Sequence, residues 1–235
     1  MSPKFVFKAL FFAAALLLAA NAAQAQSAPK YQEGLHYFLI DSAPATKADT
    51  IELAEFFSYL CTHCNTFDPY IENWKQRKPD YVEFRRIPVV FGRGSWELYA
   101  RGYVTADMMG VAEEAHAALM DELWDKKNVL RTMDDLAAFY SQFGIDQERF
   151  LATSRSFAVD GRMRKEQRMT ADFGIQGTPS LVLSGKYRIA GSAAVPSYDV
   201  MLDVVDFLVE KEASALQSTD AGEEAQEGSG EIEGA

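Results

Sequence analysis

Two periods of apolar and polar positions alternate along this chain, and the changes of period mark its organisation. Leu35–Ile40 (LHYFLI) predicts a short first strand, and Thr50–Phe57 (TIELAEFF) a second. From Cys61 to about Arg77 the period is helical, with Pro69 as an expected kink. Tyr81–Val90 (YVEFRRIPVV) reads as a third strand, stopped by Gly92 and Gly94. A long helical stretch follows: Trp96–Val104, Val111–Asp125, Met133–Phe143, Gln147–Ala158 and Arg162–Phe173, with breaks at Gly110, Asn128 and Gly144. Pro179–Leu183 and Lys186–Ile189 predict two strands meeting at Ser184-Gly185, and Ser197–Lys211 a last amphipathic helix.

The order is β-β-α-β, a block of helices, then α-β-β-α. Without the block, a thioredoxin-like βαβ…ββα sheet remains. The expected class is therefore α/β, with a central mixed β-sheet and an inserted α-helical domain. The expected boundaries are residues 26–91 and 169–212 for the sheet domain and 92–168 for the insertion.

The two ends differ from this pattern. Lys4 and Lys8 precede an uncharged apolar run, Ala9–Ala20, and then Ala23-Gln24-Ala25. That is a secretory signal pattern with expected cleavage after Ala25. The run is too short for the ~20 residues that span a bilayer, so a soluble, exported protein is expected. From Gln217 to Ala235 the chain holds six acids and no Lys or Arg. The segment from 213 to 235 is expected to be an acidic, disordered tail.

Net charge over the 235 residues is −11. An acidic chain repels phosphate backbones, so no nucleic-acid partner is expected. Both of its cysteines fall in Cys61-Thr62-His63-Cys64, after an apolar strand and at the start of a helix. At a helix N-terminus the unpaired N–H groups and the macrodipole favour a thiolate on Cys61. Cys64, one turn on, is suited to attack a mixed disulfide formed by the first.

Other uses of a C-x-x-C fit less well. Zinc needs two further ligands, and His36, His63 and His116 form no second cluster. Attached haem needs C-x-x-C-H, and Asn65 follows Cys64. A purely structural bridge closing so short a loop stabilises least. No metal or cofactor is expected. His63, if protonated, would stabilise the Cys61 thiolate and make the disulfide more oxidising. Glu55 shares a strand face with Ile51, Leu53 and Phe57. If buried, its pKa should rise and it could carry protons to and from Cys64; the alternative is an edge carboxylate reaching solvent.

Glu55-Phe56-Phe57-Ser58-Tyr59-Leu60-Cys61-Thr62-His63-Cys64 resembles the active-site segment of the DsbA family of periplasmic thiol–disulfide oxidoreductases. Gly174-Ile175-Gln176-Gly177-Thr178-Pro179-Ser180, followed by Gly185-Lys186-Tyr187, resembles that family's cis-proline loop. The likeness covers about residues 30 to 212, and the family is itself a standard example of a low-pKa, oxidising cysteine pair. Many members carry proline where this chain has Thr62, and that dipeptide tunes the potential.

The resemblance implies a dithiol oxidase. Cys61 would be the exposed nucleophile, Cys64 the buried resolving thiol and Glu55 the acid beside it. Thr178 and Pro179 would form the substrate loop, with a cis bond at 179. Clients would be reduced, unfolded exported proteins, and a membrane quinone-linked protein of the DsbB type would reoxidise the pair in the periplasm. A reductase or isomerase on the same scaffold is the first alternative. Only residues 26 to 60 precede Cys61 in the mature chain, too few for the dimerisation domain of the isomerases, so a monomer is expected. A peptide-binding chaperone is the second alternative. Met108 and Met109 are candidates for a client surface, with a place in the core as the plainer reading.

Overall fold

The structure is a computed structural model, and it describes residues 29–41 and 50–227, with side chains to residue 217. The expected signal peptide lies outside the described residues, as does the end of the acidic tail. The chain divides after Gln32, and the unit described below begins at Glu33.

Five strands form one mixed sheet: β1 (Phe38–Leu39), β2 (Ile51–Phe57), β3 (Val82–Pro88), β4 (Ser180–Leu183) and β5 (Tyr187–Ala190). Their spatial order is β1-β5-β4-β2-β3. β2 runs parallel to β3 and antiparallel to β4. The interior strand β2, between β4 and β3, is covered on both faces, so nearly every residue from Ile51 to Phe57 is buried, the carboxylate Glu55 included.

α1 (Thr62–Arg77) leaves the end of β2 through a short turn. Cys64, Phe67, Ile71 and Trp74 recur at three- and four-residue spacing and form its buried face. The helix is continuous through Pro69, which has no N–H for the carbonyl one turn back.

Between β3 and β4 come α2 (Gly94–Met108), α3 (Ala112–Trp124), α4 (Met133–Tyr140), α5 (Gln147–Ser154) and α6 (Phe157–Asp172). One apolar core joins these helices to the redox segment: Phe57, Tyr59, Cys61 and Cys64 pack with Trp96, Tyr99, Leu119 and Leu136. Met109 packs against the same core, whereas Met108 is 45% exposed.

Three helix limits differ from expectation, the first being α2, which runs on to Met108 instead of ending at Val104. The break expected after Ala158 falls at Ser156, whose Oγ caps the Val159 amide at 3.3 Å. Gly161 lies inside α6, and the expected domain boundary at 168/169 cuts that same helix. The last helix, α7 (Tyr198–Glu227), passes the expected end at Lys211 and enters the segment expected to be disordered. Glu212 anchors this extension: it is buried, and it accepts hydrogen bonds from Lys186 Nζ at 2.5 Å and the Tyr187 hydroxyl at 2.8 Å.

Candidate active site

Cys61 is the residue before α1, in extended backbone at φ −96° and ψ 117°. It caps the helix with no side-chain bond, and the first turn contains no acid. The first-turn amides are therefore available to the sulfur. Cys61 retains 9% of its surface and Cys64 none. The nucleophile is thus less open than the exposed position expected, because the insertion helices and the proline loop close over it. Its Sγ lies 3.4 Å from the Thr178 carbonyl, and the Thr178–Pro179 bond is cis.

As free thiols the two cysteines are shifted in opposite directions. The Cys64 thiol donating to the Cys61 sulfur lowers Cys61 most; burial opposes it, and Thr178 together with the backbone N–H groups of Cys64 and His63 lower it further, to about 5. Burial drives Cys64 strongly upward, reinforced by Cys61 and by the charge of Glu55. Contact with His63 runs through its amide; its side chain is exposed on the groove wall.

Glu55 is fully enclosed, and burial raises it to about 7 against the pull of Arg86. The edge-carboxylate alternative is excluded because β2 is an interior strand, paired with β3 on one side and β4 on the other, and Glu55 is buried. The Arg86 guanidinium binds Glu55 at 3.0 Å, Glu72 at 2.5 Å, Glu113 at 2.8 Å and Asp68 at 3.4 Å. Burial disfavours the Arg86 charge, but Glu55, Glu113 and Glu72 outweigh it and keep the cation. His116 bridges Asp68, 3.0 Å from Nε2, and the Tyr59 hydroxyl, 3.1 Å from Nδ1. Burial, aided by Arg86, depresses His116 below the usual imidazole range, so at neutral pH it is uncharged. Burial also opposes ionisation of Asp68, but the bond from His116 and then the nearby cations hold it below the usual carboxylate range.

The motif reading did not find Arg86, Asp68, Glu72, Glu113 or His116 as members of this site. One signal was available: Arg86 lies between apolar residues on one face of a strand, and a buried guanidinium there requires acidic partners.

Beside the cysteines lies a groove of about 630 Å³, walled by His63, Thr178, Pro179, Arg188, Tyr198 and Met201 among others. Gly174 shapes one side at φ +61°, where a Cβ would meet Arg188 Nη1 at 2.7 Å, and its carbonyl accepts from that same group. The cis turn leaves the backbone of residues 177–180 along the groove beside Cys61, suited to an extended peptide.

The DSBA-like thioredoxin domain model matches residues 52–202. The thiol:disulfide interchange protein DsbA of Pseudomonas aeruginosa is 35% identical over 210 residues, 88% of this chain and 98% of the relative. That of Azotobacter vinelandii is 33% identical over 214 residues, 90% of this chain and 99% of the relative. The crystal structure of Pseudomonas aeruginosa DsbA aligns with a TM-score of 0.73 at 33% identity, covering 81% of this chain and 98% of that one. The oxidoreductase DsbA from Xylella fastidiosa aligns at 0.71 and 33% identity, covering 76% of this chain and 96% of that one. With a reactive thiol pair beside a cis-proline loop, and relatives matched over nearly their whole length, the chain belongs to the DsbA-like thioredoxin-domain family and is a protein disulfide oxidoreductase.

Proposed function

We propose that Cys61, Cys64 and Glu55 carry the oxidase cycle and that Thr178 and Pro179 hold the client. In the oxidised protein a client thiolate attacks Cys61 Sγ. A client–Cys61 disulfide forms, and the Cys61–Cys64 bond breaks with its electron pair on Cys64. A buried thiolate at Cys64 is strongly disfavoured, so it takes a proton, and Glu55, near half protonation at neutral pH, supplies it. A second client thiolate then attacks the client sulfur of the mixed disulfide. The client gains a disulfide, and Cys61 leaves as a stabilised thiolate. Two electrons pass from client to cysteine pair.

The observation that carries this reading is the opposite shift of two neighbouring thiols, one held near 5 and one driven far up. Such a pair releases clients easily through Cys61 and favours its own reduced form. His63 assists through its amide and its place on the groove wall. The five helices between β3 and β4 serve as the inserted domain that covers the pair.

We further infer that clients are reduced, unfolded exported proteins in the periplasm, and that a quinone-linked membrane protein of the DsbB type reoxidises the pair. The Lys4 to Ala25 signal pattern and the family support this.

The test is capture of intermediates. Oxidation of a reduced two-cysteine client should be lost in Cys61→Ser. Cys64→Ser, charged as a mixed disulfide with glutathione, should release glutathione and accumulate an adduct through Cys61 with a single-cysteine client, which has no second thiol to resolve it and which reducing agent releases. Client oxidation by Cys61→Ser at the wild-type rate would defeat the assignment.

A further inference from the structure

The Tyr198 hydroxyl donates to the His63 carbonyl across 3.1 Å, linking the first turn of α7 to the turn between the two cysteines. The carbonyl of His63 and the N–H of Cys64 belong to one peptide group, and that N–H is one of the amides facing the Cys61 sulfur. The contacts therefore form a line: Tyr198 O–H, the 63–64 peptide, the Cys61 Sγ. Hydrogen bonds in such a chain polarise one another: a donor on the carbonyl makes the N–H at the other end a stronger donor.

We propose that Tyr198 is a positioning residue for the thiolate, which acts by holding and polarising the 63–64 peptide from the first turn of α7. This rests on Cys61 being the reactive thiolate. Packing fixes the tyrosine in place. Its ring lies 5.1 Å from Phe67 and 5.4 Å from Tyr70, both on α1. α1 and α7 are further bound by Trp74 Nε1 to Asp206 at 2.6 Å and Arg77 to Asp206 at 2.7 Å. The titratable groups facing the hydroxyl are Cys61, Cys64 and Tyr70, with His63 on the same groove wall. Burial and the two sulfurs keep the phenol protonated, so it remains a donor while Cys61 is ionised.

Tyr198→Phe removes the hydroxyl and keeps the ring stack. The thiolate absorbance of the reduced full chain near 240 nm, titrated with pH, reads Cys61 directly. The midpoint in Tyr198→Phe should rise by about 0.1–0.7 pH unit, the share of a charge-assisted bond that polarisation through one peptide contributes. The glutathione equilibrium should shift toward the oxidised pair by the corresponding factor. Tyr70→Phe, which removes a neighbouring hydroxyl with no bond to the turn, should leave both unchanged. A midpoint within 0.1 unit of wild type in Tyr198→Phe, with only a loss of thermal stability, overturns the proposal and leaves a packing residue. If wild type itself shows no thiolate below pH 7, the underlying assignment of Cys61 fails first, and the role of Tyr198 fails with it.

Discussion

Glu55 and Arg86 stand directly opposite one another on the parallel strands β2 and β3, and their side chains form an ion pair, Nε to Oε2 3.0 Å, from which water is excluded. The pairing sits behind the buried cysteine and gives the site a carboxylate that changes charge near neutral pH.

Glu55→Gln should change how stability depends on pH. The folded pKa of Glu55, about 7, lies above its ordinary 4.5. The stability it contributes is therefore fully present below pH 4.5 and is lost as pH rises through 7, by up to about 3 kcal/mol. Glutamine does not titrate. Denaturant unfolding of both proteins in one redox state should show the variant gaining on wild type from pH 5 to pH 8. A difference that does not vary with pH would refute the burial argument.

Removing the cation is the harsher change. Arg86→Met leaves Glu55, Asp68, Glu72 and Glu113 without their shared partner, and breaking a buried pair from one side costs about 3–5 kcal/mol. The double variant Glu55→Gln, Arg86→Met should recover only part of this, because three carboxylates still face the space. Midpoints of urea unfolding measure it.

Thr178→Val removes a hydroxyl donor to the Cys61 sulfur at nearly constant volume. A hydrogen bond to a charged group contributes about 1.5–3 kcal/mol, so the thiolate midpoint should rise by roughly one pH unit or more. The 240 nm titration reads it, and an unchanged midpoint would mean that this hydroxyl does not serve the thiolate.

The reduced protein should be stabilised by its own thiolate. The Cys61 pKa is depressed, about 5 folded against 9 ordinarily. Its contribution is fully present above pH 9 and lost as pH falls through 5. At pH 7 it amounts to about 1–2 kcal/mol after allowance for partial exposure. The disulfide form has no such group. Thermal unfolding should therefore favour the reduced over the oxidised form more at pH 7 than at pH 4.5. The opposite trend would contradict the thiolate.

Much of the site was written in local sequence. Cys61 to Cys64 declare a redox pair by spacing, and the Gly177-Thr178-Pro179 loop is legible through its resemblance to the family's cis-proline loop. Glu55 was visible as a carboxylate in an apolar strand. Its partner was not, because Arg86 lies 31 positions away and meets Glu55 only through the β2–β3 register. His116 reaches Asp68 and Tyr59 only once α3 packs on α1, and periodicity records that α3 is amphipathic without saying what its buried polar residue touches. The end of α7 was misjudged for a related reason. Composition from Gln217 onward argues for disorder, whereas the bonds of Glu212 to Lys186 and Tyr187, which carry the helix past Lys211, are tertiary.

The central claim is that Cys61–Cys64 donates disulfides. The most direct measurement is the equilibrium of the pair against glutathione buffers on the purified protein. Trp124 is the natural reporter, since its indole N–H binds the Tyr59 carbonyl at 2.9 Å, two residues before Cys61. The account predicts a pair that stays reduced until the buffer is strongly oxidising. A pair that remains oxidised in reducing buffer would contradict it and favour a reductase.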